Sequence, residues 1–513
     1  MTHSIPWGHE LAVRQARYGG RPAVIGAEGQ CTHAELATRA NGLARHLLAR
    51  GVRPGEPVAV CLANGPAAVW ASYGTMLAGA AETPVNPHLS PPEIAYCLRL
   101  ASVRHVVTDL ARRQLFGDLG CEVHLVDDGS IGTADCDPAL SARADDWGRL
   151  VFTSGTTGKP KAIVCSHRGR WTANLLLRAS LPYQPGAQSS ILLMTPFPFG
   201  AALLSYAYLD AGASVHLFEG VDVGRVRALL DDGRVDAIFA PPTVLAKLAD
   251  GLTGHRYGGV RAIFCGTSTL LPDLYRRARE IFGPVVRVTY GKSEVYNPIT
   301  YLSPEECDAW YGADPASQPG VSLGWAASGV ELAVRDGDGR DLPPGETGEI
   351  HIRAQHMLAG HIDAEGFHAV GPGDWHATGD MGLLSAHGEL MLTGRAHDVI
   401  KSGGYKIFPQ EIETVIGPAA GSAPVVAVGL PSEYWGQVIV AVAERPPAGW
   451  DAAAASAAGQ IAKFKRPRAY LSVDALPRGS QDKIQRARVV DLVLERYRLE
   501  DGPHPRLLPR EPV

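Results

Sequence analysis

The residues between positions 153 and 162, TSGTTGKPKA, have the types and spacing of a phosphate-binding loop. Backbone N–H groups from Ser154 to Gly158 can form an anion nest, since glycine permits close approach and the hydroxyl side chains add donors. The Walker A pattern does not fit, because only Thr-Thr separates Gly155 from Gly158 and a proline follows Lys159. Taken alone, the stretch leaves open a phosphate cradle of another class or an ordinary turn.

Alternating helix and strand patterns surround this loop. The segment THAELATRANGLARHLLARG begins with a capping box, in which Glu35 follows Thr32 by three positions, and continues with an apolar helical stripe. The stretches PVAVCLANG, VDAIFAPP, RAIFCG and VVRVTYG are typical of short buried strands. This alternation predicts a largely parallel α/β sheet, in which ligands lie where strands end.

The pattern changes after about residue 320. VELAVRD and EIHIRA alternate apolar and polar residues, which predicts a β-rich layer that completes the large domain. A smaller α+β unit follows, with FPQEIETVI as a helix and PVVAVGL and QVIVAVAE as strands. The predicted fold class is therefore α/β, with an N-terminal domain over 1–395, a C-terminal domain over 396–500 and a loosely ordered tail over 501–513.

Composition excludes several classes of protein. A chain of 513 residues exceeds the roughly 250–300 that one hydrophobic core supports, so at least two domains are expected. A net charge of −5 disfavours a nucleic-acid binder. Eight scattered cysteines without ligand-like spacing, no apolar signal segment and no run of 18 apolar residues predict a cytoplasmic protein without a membrane span.

Further stretches follow the phosphate-type loop in order: TYGKSE, ATGD, GRAHDVIKSGGYKIFPQEIE and PRGSQDKIQR. Together they resemble the adenylate-forming superfamily, which includes acyl- and aryl-CoA synthetases, from about residue 20 to about residue 490. The resemblance implies an enzyme that joins a carboxylic acid to the α-phosphate of ATP, releases pyrophosphate and passes the acyl group to a nucleophile. ATP and Mg²⁺ are the implied cofactors, and CoA is the implied co-substrate.

The same resemblance assigns nucleotide-binding roles. The loop would hold the β- and γ-phosphates through Thr153, Ser154, Gly155, Thr156, Thr157, Gly158, Lys159 and Lys161. Two later stretches would enclose the adenine and the α-phosphate, with Tyr290 stacked on the base: Gly266, Thr267, Ser268, Thr289, Tyr290 and Gly291. Asp380 would accept the ribose hydroxyls, with Arg395 beside it.

Three residues form the predicted catalytic group. Ser293 would meet the α-phosphate, and Glu294 would bind Mg²⁺, which prefers oxygen ligands. Lys483 would draw the substrate carboxylate and the α-phosphate together. Asp482 stands where the family has glycine, and Lys292 is unusual in its position; it is either exposed or a charge near the acyl pocket.

The acid and the acceptor are less defined. The predicted acyl pocket includes Phe199, Thr269 and Tyr296, and the predicted CoA tunnel includes Ser402, Gly403 and Gly404. No aspartate between Phe199 and Asp210 is available to hold a substrate ammonium group, which disfavours an α-amino acid. A small or aryl acid is favoured over a long fatty acid.

The resemblance also implies a mobile C-terminal domain that rotates between the two half-reactions. His397 stands at the hinge, where an aspartate is usual. The favoured function is an AMP-forming acid–CoA ligase that acts as a monomer or homodimer. The alternatives are an adenylating ligase with another acceptor (an amine, a carrier-protein thiol, or nitrite activation for diazotisation of an aryl amine) and a catalytically silent nucleotide-binding homologue.

Overall fold

The computed structural model describes residues 4–87, 89–154, 160–313, 320–371, 373–395, 398–402, 405–479 and 483–510. The side chains of Ser154, Pro160, Phe199 and Lys406 lie outside that description. The α-helices of the described residues are α1 Trp7–Tyr18, α2 His33–Ala49, α3 Pro66–Leu77, α4 Pro91–Leu100, α5 His167–Ala179, α6 Ala202–Asp210, α7 Val223–Asp231, α8 Pro242–Gly251, α9 Pro272–Phe282, α10 Pro304–Gly312, α11 Pro409–Ile416, α12 Trp450–Ala457 and α13 Arg486–Arg496.

The strands are, in chain order, β1 Ser4–Ile5, β2 Pro22–Gly26, β3 Gly29–Thr32, β4 Pro57–Cys61, β5 Ala81–Pro84, β6 His105–Thr108, β7 Glu122–Leu125, β8 Ala142–Arg143, β9 Trp147–Ser154, β10 Pro160–Ser166, β11 Ser190–Leu193, β12 Ser214–Leu217, β13 Ala237–Phe239, β14 Ala262–Cys265, β15 Val286–Lys292, β16 Val295–Leu302, β17 Val321–Ala326, β18 Val330–Arg335, β19 Gly348–Ala354, β20 Gly360–Asp363, β21 Gly366–Ala369, β22 His376–Leu384, β23 Leu390–Arg395, β24 Ile400–Ser402, β25 Tyr405–Ile407, β26 Val425–Ser432, β27 Gly436–Glu444, β28 Ala469–Val473, β29 Tyr497–Glu500 and β30 Arg506–Pro509.

Two large sheets dominate the fold. The first has the order β21-β20-β10-β9-β5-β4-β6-β7, and its β9 to β7 part is parallel. The second has the order β18-β19-β22-β23-β17-β16-β15-β14-β13-β11-β12-β2-β3. Its strands from β2 to β15 are parallel, and those from β15 to β18 are antiparallel. The predicted parallel α/β core with an added β-rich layer is thereby confirmed.

Helix α2 begins where the sequence predicts. The backbone N–H of Glu35 donates to Thr32 Oγ1 at 3.2 Å, and the Thr32 N–H donates to Glu35 Oε2 at 2.8 Å. These reciprocal bonds satisfy N–H groups that the first turn leaves free. The helix packs on α3, where a Cβ added at Gly74 would lie 2.8 Å from the Leu43 Cβ. This close approach requires glycine in α3.

A third sheet lies in the C-terminal part and consists of strands β24 to β28. The sequence predicts a loosely ordered tail over 501–513. This prediction is wrong for residues 506–509, because β30 pairs antiparallel with β29. Leu507 packs against the buried cluster that contains Val489 and Val493, so apolar burial orders this segment despite its prolines. Within the described residues, no helix combines the length and apolar character needed to cross a bilayer.

A buried charge cluster connects the first sheet to α5. Glu82 on β5 lies 2.6 Å from Arg170 on α5 and 3.3 Å from Arg149 on β9, and all three residues are at most 2% exposed. Arg170 also donates to the Tyr206 hydroxyl at 2.6 Å and to Ser72 Oγ at 3.0 Å. Burial acts to raise the pKa of Glu82, but the two arginines outweigh it and lower that pKa. The carboxylate therefore stays charged inside the protein.

Substitution of Glu82→Gln should lower the free energy of unfolding by about 3–5 kcal/mol, because two buried guanidinium groups lose their carboxylate. Urea or thermal unfolding of the purified variant measures this change. The exposed pair Glu331–Arg353 gives the matched control, and Glu331→Gln should leave the unfolding midpoint almost unchanged. Equal midpoints for the two variants would contradict the assignment.

Candidate active site

Strands β14, β15, β22 and β23 carry or lead into half of the predicted nucleotide-binding residues. Asp380 on β22 and Arg395 on β23 are direct cross-strand partners. Arg395 Nε lies 3.3 Å from Asp380 Oδ1. The antiparallel register thus brings together two residues that the sequence predicts at one ribose site.

Asp380 is buried and holds three polar partners. The Tyr290 hydroxyl donates to Asp380 Oδ2, and Lys292 Nζ lies 3.7 Å from the same oxygen. Lys292 also donates to the Thr378 carbonyl at 2.6 Å, and its side chain is only 16% exposed. Burial, with the Asp380 charge next, raises the pKa of Tyr290 well above its usual value, so this hydroxyl stays a donor.

The interpretation of Lys292 as an exposed residue is therefore wrong. Its partner Asp380 lies on a strand far along the chain, and no local pattern in the sequence indicates that pairing. His376, two residues before Thr378, was also missed. Burial lowers the pKa of His376, while the nearby Glu294 charge acts to raise it. A neutral imidazole thus lies near the predicted metal ligand Glu294.

Lys483 faces the same group of charges. Burial lowers the pKa of Lys483, although part of the residue is exposed to solvent, and the charges of Arg395 and Lys292 lower it further. Asp380 and Glu294 act in the opposite direction. The structure therefore brings the predicted catalytic lysine within electrostatic reach of Asp380, Arg395 and Glu294.

Gly266 and the residues after it form a wall beside β15. A Cβ at Gly266 would lie 2.7 Å from the Thr289 carbonyl oxygen, so the loop approaches the strand closely. Thr267 adopts φ of 70°, a left-handed conformation that costs a non-glycine residue roughly 1 kcal/mol or more. Thr267 and Ser268 are exposed, while Thr269 is half-buried. Gly291 continues the wall, since its Cβ position lies 3.0 Å from the Asn297 side chain. Strained backbone such as that of Thr267 is concentrated at functional sites.

The structure describes part of the phosphate-type loop. Thr153 on β9 pairs with Lys161 on β10, and Lys161 Nζ lies 3.8 Å from Asp363 Oδ2. Ser293 and Glu294 connect β15 to β16, and the Glu294 carbonyl accepts a hydrogen bond from the Leu358 N–H at 2.8 Å. The following predicted site residues lie outside the described residues, so their roles stay predictions: Gly155, Thr156, Thr157, Gly158, Lys159, His397, Gly403 and Gly404.

The predicted acyl side meets the buried charge cluster. The Arg149 guanidinium donates to the Pro198 carbonyl, in the π-helical turn Phe197–Ala201 that contains Phe199. Tyr296 is buried, and its pKa is raised well above the usual value, mainly by burial and next by Cys165. Arg149, Arg170 and Glu82 act on the same hydroxyl. The sequence signal for this cluster is the presence of Glu82 and Arg149 within apolar strand segments, and no prediction was drawn from it.

Comparison with known proteins decides the family. Residues 11–361, more than half of the chain, match the family described as AMP-binding enzyme. The chain belongs to this family. This AMP-binding enzyme is thus an adenylating ligase, and the prediction of that activity from the sequence is confirmed.

Relatives of this AMP-binding enzyme align over almost their whole length. A sulfoacetate–CoA ligase of Cupriavidus necator is 29% identical, over 94% of this chain and 96% of that protein. A feruloyl-CoA synthase of an Amycolatopsis species is 27% identical, over 93% and 97%. The structure of o-succinylbenzoate CoA synthetase from Bacillus subtilis with its acyl-adenylate intermediate superposes with a TM-score of 0.81 at 26% identity, over 95% and 98%. The predicted fold with a large N-terminal and a small C-terminal domain is confirmed.

Removal of the Lys292 charge should raise the pKa of Lys483, because that charge helps to lower it. The midpoint of Lys483 acetylation against pH, measured by peptide mass spectrometry, should therefore move to higher pH in Lys292→Met. Lys463→Met, at an exposed position, is the control and should leave the midpoint unchanged. An unchanged midpoint in Lys292→Met would mean that the two ammonium groups do not interact.

Proposed function

We propose that this AMP-binding enzyme converts a small or aromatic carboxylic acid into its acyl adenylate and transfers the acyl group to CoA. One observation carries the proposal: the buried Asp380 carboxylate pairs with Arg395 of β23 and lies beside Tyr290 and Lys292 of β15. The charge of Lys483, from the C-terminal part, acts on the same group. Asp380 and Arg395 would hold the ribose of ATP, with Tyr290 beside them. The boundary at residue 395 and the hinge at His397 remain part of this proposal.

The positive charge around Asp380 suits a reaction between two anions. An oxygen of the acid's carboxylate attacks the α-phosphorus of ATP, the bond to the bridging oxygen breaks, and pyrophosphate leaves. Lys483, Arg395 and Lys292 offset the repulsion between the carboxylate and the phosphate, which both lowers the barrier and orients the pair. Glu294 offers the oxygen ligand that Mg²⁺ prefers, and the ion would neutralise charge on the phosphates.

The buried charges beside the predicted acyl pocket favour an acid with a polar or anionic substituent. Among the described residues there, Arg149 and Arg170 share a single carboxylate, that of Glu82. A long alkyl chain beside these two arginines would leave their excess positive charge uncompensated. A second anionic or hydrogen-bonding group on the acid would pair with that charge. Sulfoacetate, the acid named for the Cupriavidus relative, carries such a second group.

A groove beside the predicted CoA-tunnel residue Ser402 supports CoA as the acceptor. Its lining includes Ser402, Tyr405, Trp435, Phe464, Arg466 and Arg468. The Tyr405 and Phe464 rings stack with centroids 4.1 Å apart, and both are exposed, by 53% and 38%. The Arg468 guanidinium lies 5.4 Å from the Trp435 ring centroid. Aromatic faces beside guanidinium groups suit an adenine and its phosphates, and CoA carries both.

Lys483→Ala should reduce ATP–pyrophosphate exchange by roughly 100-fold or more, because the variant loses charge stabilisation made in the transition state. ATP binding, measured by calorimetry, should be nearly retained, since Lys483 is proposed to act on the reacting groups. Lys463→Ala is the matched control. Full exchange activity in Lys483→Ala would remove this lysine from the mechanism.

Phe464→Ala should raise the KM for CoA about tenfold, which is the cost of one lost base-stacking contact. Arg468→Ala should raise it by about the same factor, because a guanidinium–phosphate contact is lost. Exchange of pyrophosphate should stay at the wild-type rate, because adenylation precedes CoA binding. Arg498→Ala, at an exposed position on β29, is the control. A loss of exchange with an unchanged KM for CoA would assign the groove to another role.

A further inference from the structure

Three histidines and two glutamates lie together at the outer edge of the first sheet. His105 is on β6, Glu122 and His124 are on β7, His46 is on α2, and Glu56 directly precedes β4. Strand β7 is the edge of this sheet, and β6, β4 and β5 separate it from β9 and β10 of the phosphate-type loop. The cluster is therefore distinct from the adenylation site.

Three of these side chains have the spacing of metal ligands. His105 Nδ1 lies 3.1 Å from His124 Nε2 and 3.6 Å from Glu122 Oε2, and the three ligand atoms lie within 4.8 Å of one another. Zinc binds imidazole nitrogen at about 2.0–2.1 Å, so two ligand atoms of a tetrahedral site lie about 3.3 Å apart. One ion fits between the three groups after a small movement of the Glu122 side chain, which is 39% exposed.

The remaining ring nitrogens have partners of the kind that support metal ligands. His124 Nδ1 lies 3.1 Å from His46 Nε2, and His105 Nε2 lies 3.8 Å from Glu56 Oε1. Ligating histidines usually donate their second N–H to a carboxylate, a backbone carbonyl or water, and Glu56 offers such a carboxylate beside His105. When His105 carries its proton on Nε2, its Nδ1 lone pair faces Glu122 Oε2, and a cation between them removes that repulsion.

The charges of the neighbouring residues balance one another. Arg50 pairs with Glu122 at 2.5 Å, and Arg104 pairs with Glu56 at 2.6 Å, so the two arginines and two glutamates balance. The Glu122 oxygen that faces His105 is not the one that Arg50 contacts.

We propose that His105, Glu122 and His124 bind one Zn²⁺-class transition-metal ion, with solvent as the fourth ligand. Two imidazoles and one carboxylate select such ions over Mg²⁺ or Ca²⁺. The ion links edge strand β7 to β6 and, through His46, to α2. It thus holds these three elements together and takes no part in the adenylation chemistry.

A second cluster provides an internal control. His361, Asp363 and His368, on the β20–β21 hairpin, also lie within metal-ligand spacing. Lys161 Nζ lies 3.8 Å from Asp363 Oδ2, the same oxygen that faces His361 Nε2 at 3.6 Å, so the basic group competes with a cation at the ligand oxygen itself. The two clusters can be separated by one substitution in each.

Titration of untagged, chelator-treated full-length protein with Co²⁺, followed by Zn²⁺ displacement, tests the proposal. One equivalent of Co²⁺ should bind with visible absorption, and Glu122→Ala and His124→Asn should weaken binding by about 100-fold, while the supporting variant Glu56→Gln should weaken it by about 10-fold or more. Zn²⁺ should raise the Tm of the wild type and of His368→Asn but not that of Glu122→Ala.

Because Glu122 is partly exposed, Glu122→Ala should keep the metal-free Tm of the wild type, which excludes misfolding as the cause of lost binding. Absence of Co²⁺ and Zn²⁺ binding by the wild type would overturn the proposal. So would wild-type affinity in Glu122→Ala, or loss of binding in His368→Asn.

Discussion

The buried carboxylate of Asp380 needs donors and cations around it, and that requirement organises the site. Tyr290 and Lys292 approach it from β15, and Arg395 approaches it from the neighbouring strand β23. These strands must therefore hold a fixed register, which the antiparallel layer of the second sheet supplies. The same excess of positive charge is what ATP and a carboxylate substrate need to approach each other.

The second buried charge cluster lies beside the predicted acyl pocket. Glu82, Arg149 and Arg170 connect β5, β9 and α5, so they first serve the packing of the first sheet. Their contact with the turn that contains Phe199, and their effect on Tyr296, place the same charges at the predicted acyl pocket. Under the proposed function, one cluster would link stability to the choice of substrate, because a change that suits another acid would also alter a buried ion pair.

Local features could be predicted from the sequence, whereas partners distant in the chain could not. The capping box of α2 and the short apolar strands depend on neighbouring residues, and the structure has them as predicted. Lys292 and Thr378 are 86 positions apart, and Arg170 and Glu82 are 88 apart, so only the strand order brings them together. The β29–β30 hairpin was missed for a similar reason, since burial of Leu507 depends on α13 rather than on the proline-rich segment itself.

The most direct test is ATP–pyrophosphate exchange with purified protein and a panel of paired acids. Propanoate and sulfoacetate form one pair, benzoate and salicylate form another, and palmitate represents long fatty acids. We expect exchange with small or aromatic acids, strongest with the member of each pair that carries the second anionic or hydroxyl group, and none with palmitate. Exchange with palmitate alone would contradict the proposed acyl pocket, and no exchange with any carboxylic acid would contradict adenylation of a carboxylate by this protein.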